Sequence, residues 1–109
     1  MYKKDIRIAT WNANGILNKK YELETSLNTQ CIDVGLISET HFTKESYIKI
    51  KGYKIYHTPH PNNNARGGSA IIIRDSINHY EEHPIQREEV QLTAVTIKTT
   101  KQNLKIGII

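Results

Sequence analysis

Few arrangements are open to a chain that begins strand, helix, strand. Ile6-Arg7-Ile8-Ala9-Thr10-Trp11 alternates apolar and other residues with the period of a half-buried strand. Asn14-Gly15-Ile16-Leu17-Asn18 then carries turn chemistry. From Lys19 to about Gln30, Tyr21, Leu23 and Leu27 recur among good helix formers, with Asn18 placed to cap the helix. Ile32 to Ser38 follows as a short, mostly apolar run of the kind buried on both faces. Two strands joined through a helix of this length pair in parallel. Their C-terminal ends therefore meet at one edge of the sheet, and ligand clefts form at such edges.

Only strands are expected beyond this unit. Tyr53 to Thr58 is rich in β-formers, Gly68 to Arg74 reads as the clearest buried strand, and Pro59 to Gly67 is a polar loop containing Asn62-Asn63-Asn64. Gln91 to Thr99 and Leu104 to Ile109 flank the polar turn Thr100-Lys101-Gln102-Asn103, which predicts a hairpin. This is an α/β pattern, but a single helix is too little to cover the sheets. The chain also stops at Ile106-Gly107-Ile108-Ile109, within an apolar strand, so the expectation is a truncated domain. Gly35 is the weak point of the second strand, costing about 0.5 to 1 kcal/mol relative to alanine unless another group packs closely there.

At 109 residues the chain fits one small domain. Its longest apolar run, Ala70 to Ile73, is too short to span a bilayer, and Met1-Tyr2-Lys3-Lys4-Asp5 precedes no signal-peptide core, so an intracellular protein without a membrane partner is expected. Cys31 is the only cysteine. It allows neither an internal disulfide nor a cysteine zinc site, and a small buried hydrophobe is the expected role. The formal charge of +4 leans toward polyanions, but the basic residues are dispersed along the chain.

The chemistry-bearing residues lie where the parallel strands end. Asn12 closes the first strand, Asn14 stands two residues on, and Glu39 follows the second strand. Two carboxamides and a carboxylate supply hard oxygen ligands of the sort magnesium accepts, since that ion keeps most of its waters and takes one or two protein carboxylates. Singly, each has a plainer reading: an Asn beside Gly forms turns, and a Glu at a strand end is usually solvated. None of the aspartates Asp5, Asp33 and Asp75 sits in an Asp-x-Asn or Asp-His setting. His57, His60, His79 and His83 read as surface histidines.

Three segments carry a resemblance: Ile8-Ala9-Thr10-Trp11-Asn12-Ala13-Asn14-Gly15-Ile16, Leu36-Ile37-Ser38-Glu39-Thr40-His41-Phe42 and Arg66-Gly67-Gly68-Ser69-Ala70-Ile71-Ile72-Ile73. In order and spacing they resemble the first three motifs of the endonuclease/exonuclease/phosphatase superfamily, above all those of the apurinic-endonuclease-like domain that opens jockey-type non-LTR retrotransposon polyproteins. The likeness runs over nearly the whole chain. It implies a DNase I-like, four-layer α/β/β/α sandwich with mixed sheets, of which residues 1–109 form the N-terminal half.

The resemblance further implies that Glu39 binds the divalent metal, Mg2+ or Mn2+ in its place, while Asn12 and Asn14 line the site and steer the scissile phosphate. His41 and Arg66 match positions near phosphate. DNA is the implied partner, a reverse transcriptase domain the implied neighbour downstream, and the nucleus the implied place of action of the parent element. Gly35 departs from the pattern, which usually has a large apolar residue there. The catalytic Tyr, the Asp-x-Asn segment and the Asp-His pair that similar enzymes carry further on are not among these residues. Two other readings stay open: a catalytically dead remnant that at most binds nucleic acid or a partner, and a different phosphodiesterase of the same superfamily.

Overall fold

The computed structural model describes residues 5–109. Met1 to Lys4, part of the segment read for a signal peptide, lie outside them. The elements run β1 (Ile8–Asn12), a 3-10 turn (Leu17–Lys19), α1 (Lys20–Thr29), β2 (Val34–Ser38), β3 (Tyr53–Thr58), β4 (Ser69–Arg74), β5 (His79–Glu81), β6 (Ile85–Gln86), β7 (Gln91–Lys98) and β8 (Asn103–Ile108). The first sheet has the order β1-β2-β4-β3. Within it β1 and β2 are parallel, with Ile8 opposite Val34 and Asn12 opposite Ser38, and the other pairs are antiparallel. In the second sheet β5 and β6 pair with one edge of β7 and β8 with the other, all antiparallel.

Strand alternation sorts the core into two clusters. Ile37 on β2, with Ala70 and Ile72 on β4, packs beneath Leu23 and Leu27 of α1. Val34, Leu36, Ile71 and Ile73, their alternates, face Val95 and Ile97 of β7. The layers therefore run helix, sheet, sheet, and β2 and β4 are buried on both faces as their unbroken apolar runs require. Between the sheets Ser69 Oγ lies 2.9 Å from Thr93 Oγ1, and Thr93 Oγ1 donates to Thr58 Oγ1 at 2.9 Å, a buried hydroxyl chain tying β3, β4 and β7 together. At the far end of the first sheet the buried Asp33 accepts from Arg7 N (2.8 Å) and pairs with Arg74 Nε (3.0 Å).

Three local expectations are corrected. Asn18 does not cap α1, because Leu17–Lys19 first tighten into a 3-10 turn and Lys19 takes the capping position with no side-chain bond. Tyr21 faces solvent, leaving Leu23 and Leu27 as the buried face of the helix. Cys31 is exposed. It occupies the left-handed position just past α1 at φ +52, with Cys31 N bonded to Asn28 O (3.3 Å) and Ile32 N to Leu27 O (2.9 Å). This is the Schellman closure of a helix, and it turns the thiol outward.

Candidate functional site

The parallel pairing of β1 and β2 does not stop with the strands. Ala13 N donates to Ser38 O (2.9 Å), Gly15 N to Glu39 O (2.8 Å) and Ile16 N to Thr40 O (3.1 Å), so the two segments stay side by side as they leave the sheet. This brings Asn12 and Glu39 together. Asn12 Nδ2 donates to Glu39 Oε2 at 2.6 Å, a bond to a charged acceptor and correspondingly short. Both residues are exposed. Asn14 also lies exposed in this crossing, its neighbour Gly15 bonded to the main chain of Glu39.

The backbone here is held in unusual conformations. Asn14 (φ +46), Glu39 (φ +52) and His41 (φ +58) all adopt the left-handed region, three of the five non-glycine residues that do so among those described. Each such residue costs on the order of 1–2 kcal/mol and persists only where surrounding bonds over-determine it. Those bonds come from two sides, the β1 extension on one and the Gly67-Gly68 loop on the other. Thr40 N donates to Gly68 O (3.2 Å) and His41 N to Gly67 O (2.8 Å). His41 is half-buried against Gly15, where a Cβ would stand 3.3 Å from its Nδ1. Arg66, the residue before Gly67, has its Nη2 3.2 Å from His60 Nε2.

The oxygen set suits a hard, hydrated cation. Glu39 keeps Oε1 and Asn12 keeps Oδ1 for a further partner, because their mutual bond uses the other atom of each group. Among the described residues no cluster of three or more His, Cys, Asp or Glu forms, so a closed protein cage of the zinc type is not what these residues build. Magnesium held by one carboxylate and its own waters matches the donors present.

No protein-family model matches the chain. The RNA-directed DNA polymerase from mobile element jockey of Drosophila melanogaster is 34% identical over 109 residues, which cover 100% of this chain and 12% of that protein. This chain is homologous to the polyproteins of jockey-type non-LTR retrotransposons. Its fold is that of apurinic endonucleases: LMAP from Leishmania major superposes with a TM-score of 0.77 at 13% identity, covering 94% of this chain and 39% of that one. The endonuclease domain of TRAS1, a telomere-specific non-LTR retrotransposon, gives 0.68 at 16% identity, covering 94% and 44%. The jockey homologue is thus matched over a small part of its length, and the solved nuclease domains over less than half of theirs.

In this jockey-like chain three of the histidines read as surface residues do packing work instead. His60 is buried, with Asn62 N donating to its Nδ1 (3.2 Å) and Arg66 on its Nε2. An imidazole offers at most one ring acceptor, so these two donors compete and the exposed Arg66 is weakly held. His79 is half-buried between Tyr56 Oη (2.9 Å) and Ile77 O (2.7 Å). His57 stands edge-on to Phe42 with ring centroids 4.9 Å apart, its Nδ1 buried without a hydrogen-bond partner among the described residues and its pKa lowered by burial. His83 alone is exposed as expected. The sequence hides this, because His57 and His79 are covered by rings remote along the chain and His60 by the folding of its own loop. The buried polar residues of β7, Gln91, Thr93 and Thr96, were missed as well; the spacing of two between Gln91 and Thr93 within an apolar strand is the one signal, and it marks only that pair.

Proposed function

We propose that this chain is the metal-holding half of a magnesium-dependent DNA endonuclease domain of a jockey-type element, which nicks target DNA to expose the 3′-hydroxyl that primes reverse transcription. The observation that carries the reading is the Asn12–Glu39 pair at the joined C-terminal ends of β1 and β2. Glu39 would hold the ion with Oε1, Asn12 would fix the carboxylate through Oε2, and Asn14 would meet the phosphate from the adjoining turn. When bound, the metal supplies Lewis-acid stabilisation of charge on the phosphate. His41, beside Gly15, and the weakly held Arg66 would be the further contacts to phosphate. The setting would be intracellular, and nuclear for a complete element, with a reverse transcriptase region downstream.

A second reading has its own support. The Tyr, Asp-x-Asn and Asp-His segments of similar enzymes are not among residues 1–109, so by itself the chain would be a nucleic-acid-binding remnant without activity. Loss of a positioned general acid or base forfeits about 10²- to 10⁴-fold in rate. A supercoiled-plasmid assay in Mg2+ separates the two. Residues 1–109 alone should leave the plasmid intact, while the same segment, extended where its gene continues through those motifs, should nick it and lose at least about 10²-fold on Glu39→Ala. An extended protein that nicks equally well with Glu39→Ala refutes the assignment.

A further inference from the structure

We infer that Gln91, on the second sheet, is a positioning residue that fixes the Glu39-Thr40-His41 segment from behind and so sets how firmly Glu39 is presented to a metal. The inference rests on the reading of Glu39 given above. Gln91 opens β7 and is 9% exposed, with every polar atom of its side chain in use. Oε1 accepts from Gly68 N (3.0 Å), and Nε2 donates to Arg87 O (2.7 Å) and Glu88 O (3.1 Å). Only a carboxamide of this length offers an acceptor to one side and two donors to the other.

The decisive geometry is in one peptide unit. Gly68 N–H and Gly67 C=O belong to the same plane and point in opposite directions. Gln91 Oε1 takes the N–H, and the C=O receives His41 N–H at 2.8 Å. Gln91, the 67–68 peptide and His41 thus form a continuous relay in which each bond polarises the next. Turning that peptide over breaks both bonds at once. Both glycines are left-handed, at φ +57 and +86, and a Cβ on Gly67 would stand 2.6 Å from Gln91 Oε1, so the amide occupies the space a side chain there would need. His41 and Glu39 hold strained conformations of their own. Released from the relay, they would relax, and the Glu39 carboxylate would move with them.

The test uses the 109-residue chain with Mn2+ as probe. Gln91→Met keeps the bulk and deletes the acceptor. Gln91→Glu keeps an acceptor oxygen for Gly68. Val95→Ala, fully buried on the same strand, lowers stability without touching the relay. Amide hydrogen exchange at Gly68 and His41 should quicken at least about 10-fold more in Gln91→Met than in Val95→Ala, with Gln91→Glu restoring part of the protection. Mn2+ affinity, read by water-proton relaxation, should fall about 10-fold in Gln91→Met and hold in Val95→Ala. Should the Met variant fail to fold, Gln91→Asn, whose amide falls short of Gly68, carries the same comparison. Equal exchange at Gly68 and His41 in the Gln91 and Val95 variants overturns the inference, as does unchanged Mn2+ affinity in Gln91→Met while Glu39→Ala abolishes binding. If Glu39→Ala leaves Mn2+ binding intact, the metal role of Glu39 falls first and this inference with it.

Discussion

Replacing Gly35 by alanine should stabilise the protein. Gly35 sits in the middle of β2, paired with Ala9 on one side and Ile72 on the other. An added Cβ would meet Leu27 Cδ2 at 3.7 Å, Ile72 Cβ at 3.8 Å and Ile72 O at 3.9 Å, all ordinary contacts. Restricting the unfolded chain contributes about 0.5–1 kcal/mol, and burying one methyl group adds up to about 0.8 kcal/mol. The sum, about 0.5–2 kcal/mol, corresponds to a rise in Tm of at least about 2 °C for a domain of this size. Leucine behaves differently, because Leu27 of α1 already fills the space its side chain would enter. Gly35→Leu should lose about 1–3 kcal/mol through overpacking. Urea denaturation followed by the fluorescence of Trp11 reads both, with the midpoint moving and the slope constant. A lower midpoint for Gly35→Ala, or shifts of the same sign for the two variants, refutes the packing argument.

Cys31→Gly should raise stability by about 1 kcal/mol, since glycine adopts the left-handed helix-closing position without the Cβ penalty; a midpoint unchanged or lowered in the same denaturation contradicts this. His57 gives a pH dependence. Burial lowers its folded-state pKa below the unfolded value of about 6.5, so the unfolded chain binds the proton more readily, and stability should fall as pH drops from about 6.5 toward the folded pKa and be fully present above that window. In thermal melts across this range His57→Leu should flatten that part of the slope, and an identical slope in the variant removes His57 as its source.

Much of this fold is legible in the sequence because the signals are local and periodic. The crossover from β1 through α1 to β2, the strand at Tyr53–Thr58 and the hairpin of β7 and β8 all follow from alternation and turn chemistry. β5 and β6 do not, for they are three and two residues long, largely exposed, and exist only because β7 offers them an edge. Asn12 and Glu39 were legible as a pair because each is tied to the end of a strand whose pairing the crossover dictates. His60 was not, since its burial depends on how the 59–67 loop folds back on itself. Gln91 was hidden for the same reason: its partner is a glycine N–H, and a glycine pair in sequence says only that the chain turns there.

The division between visible and hidden residues has a physical basis. Groups proposed to meet a substrate must be exposed, and Asn12, Asn14 and Glu39 do stand exposed at the open end of the sheet, where sequence patterning places strand termini. Exposure alone would leave them mobile and relax the left-handed backbone at Asn14, Glu39 and His41. What holds them is buried and polar. Ser69 and Thr93 are fully buried and Thr58 nearly so, and with Gln91 they join the sheets directly behind the Gly67-Gly68 loop. A purely apolar junction there would fill space but could not fix which way a peptide points, because dispersion contacts carry little direction. Hydrogen bonds do, and burying them makes each costly to leave unmade, by about 1–3 kcal/mol per unsatisfied group. The polar seam between the sheets is therefore where an exposed carboxylate gains a fixed direction, and its residues, remote from Glu39 in sequence, belong to the candidate site as fully as Asn12 does.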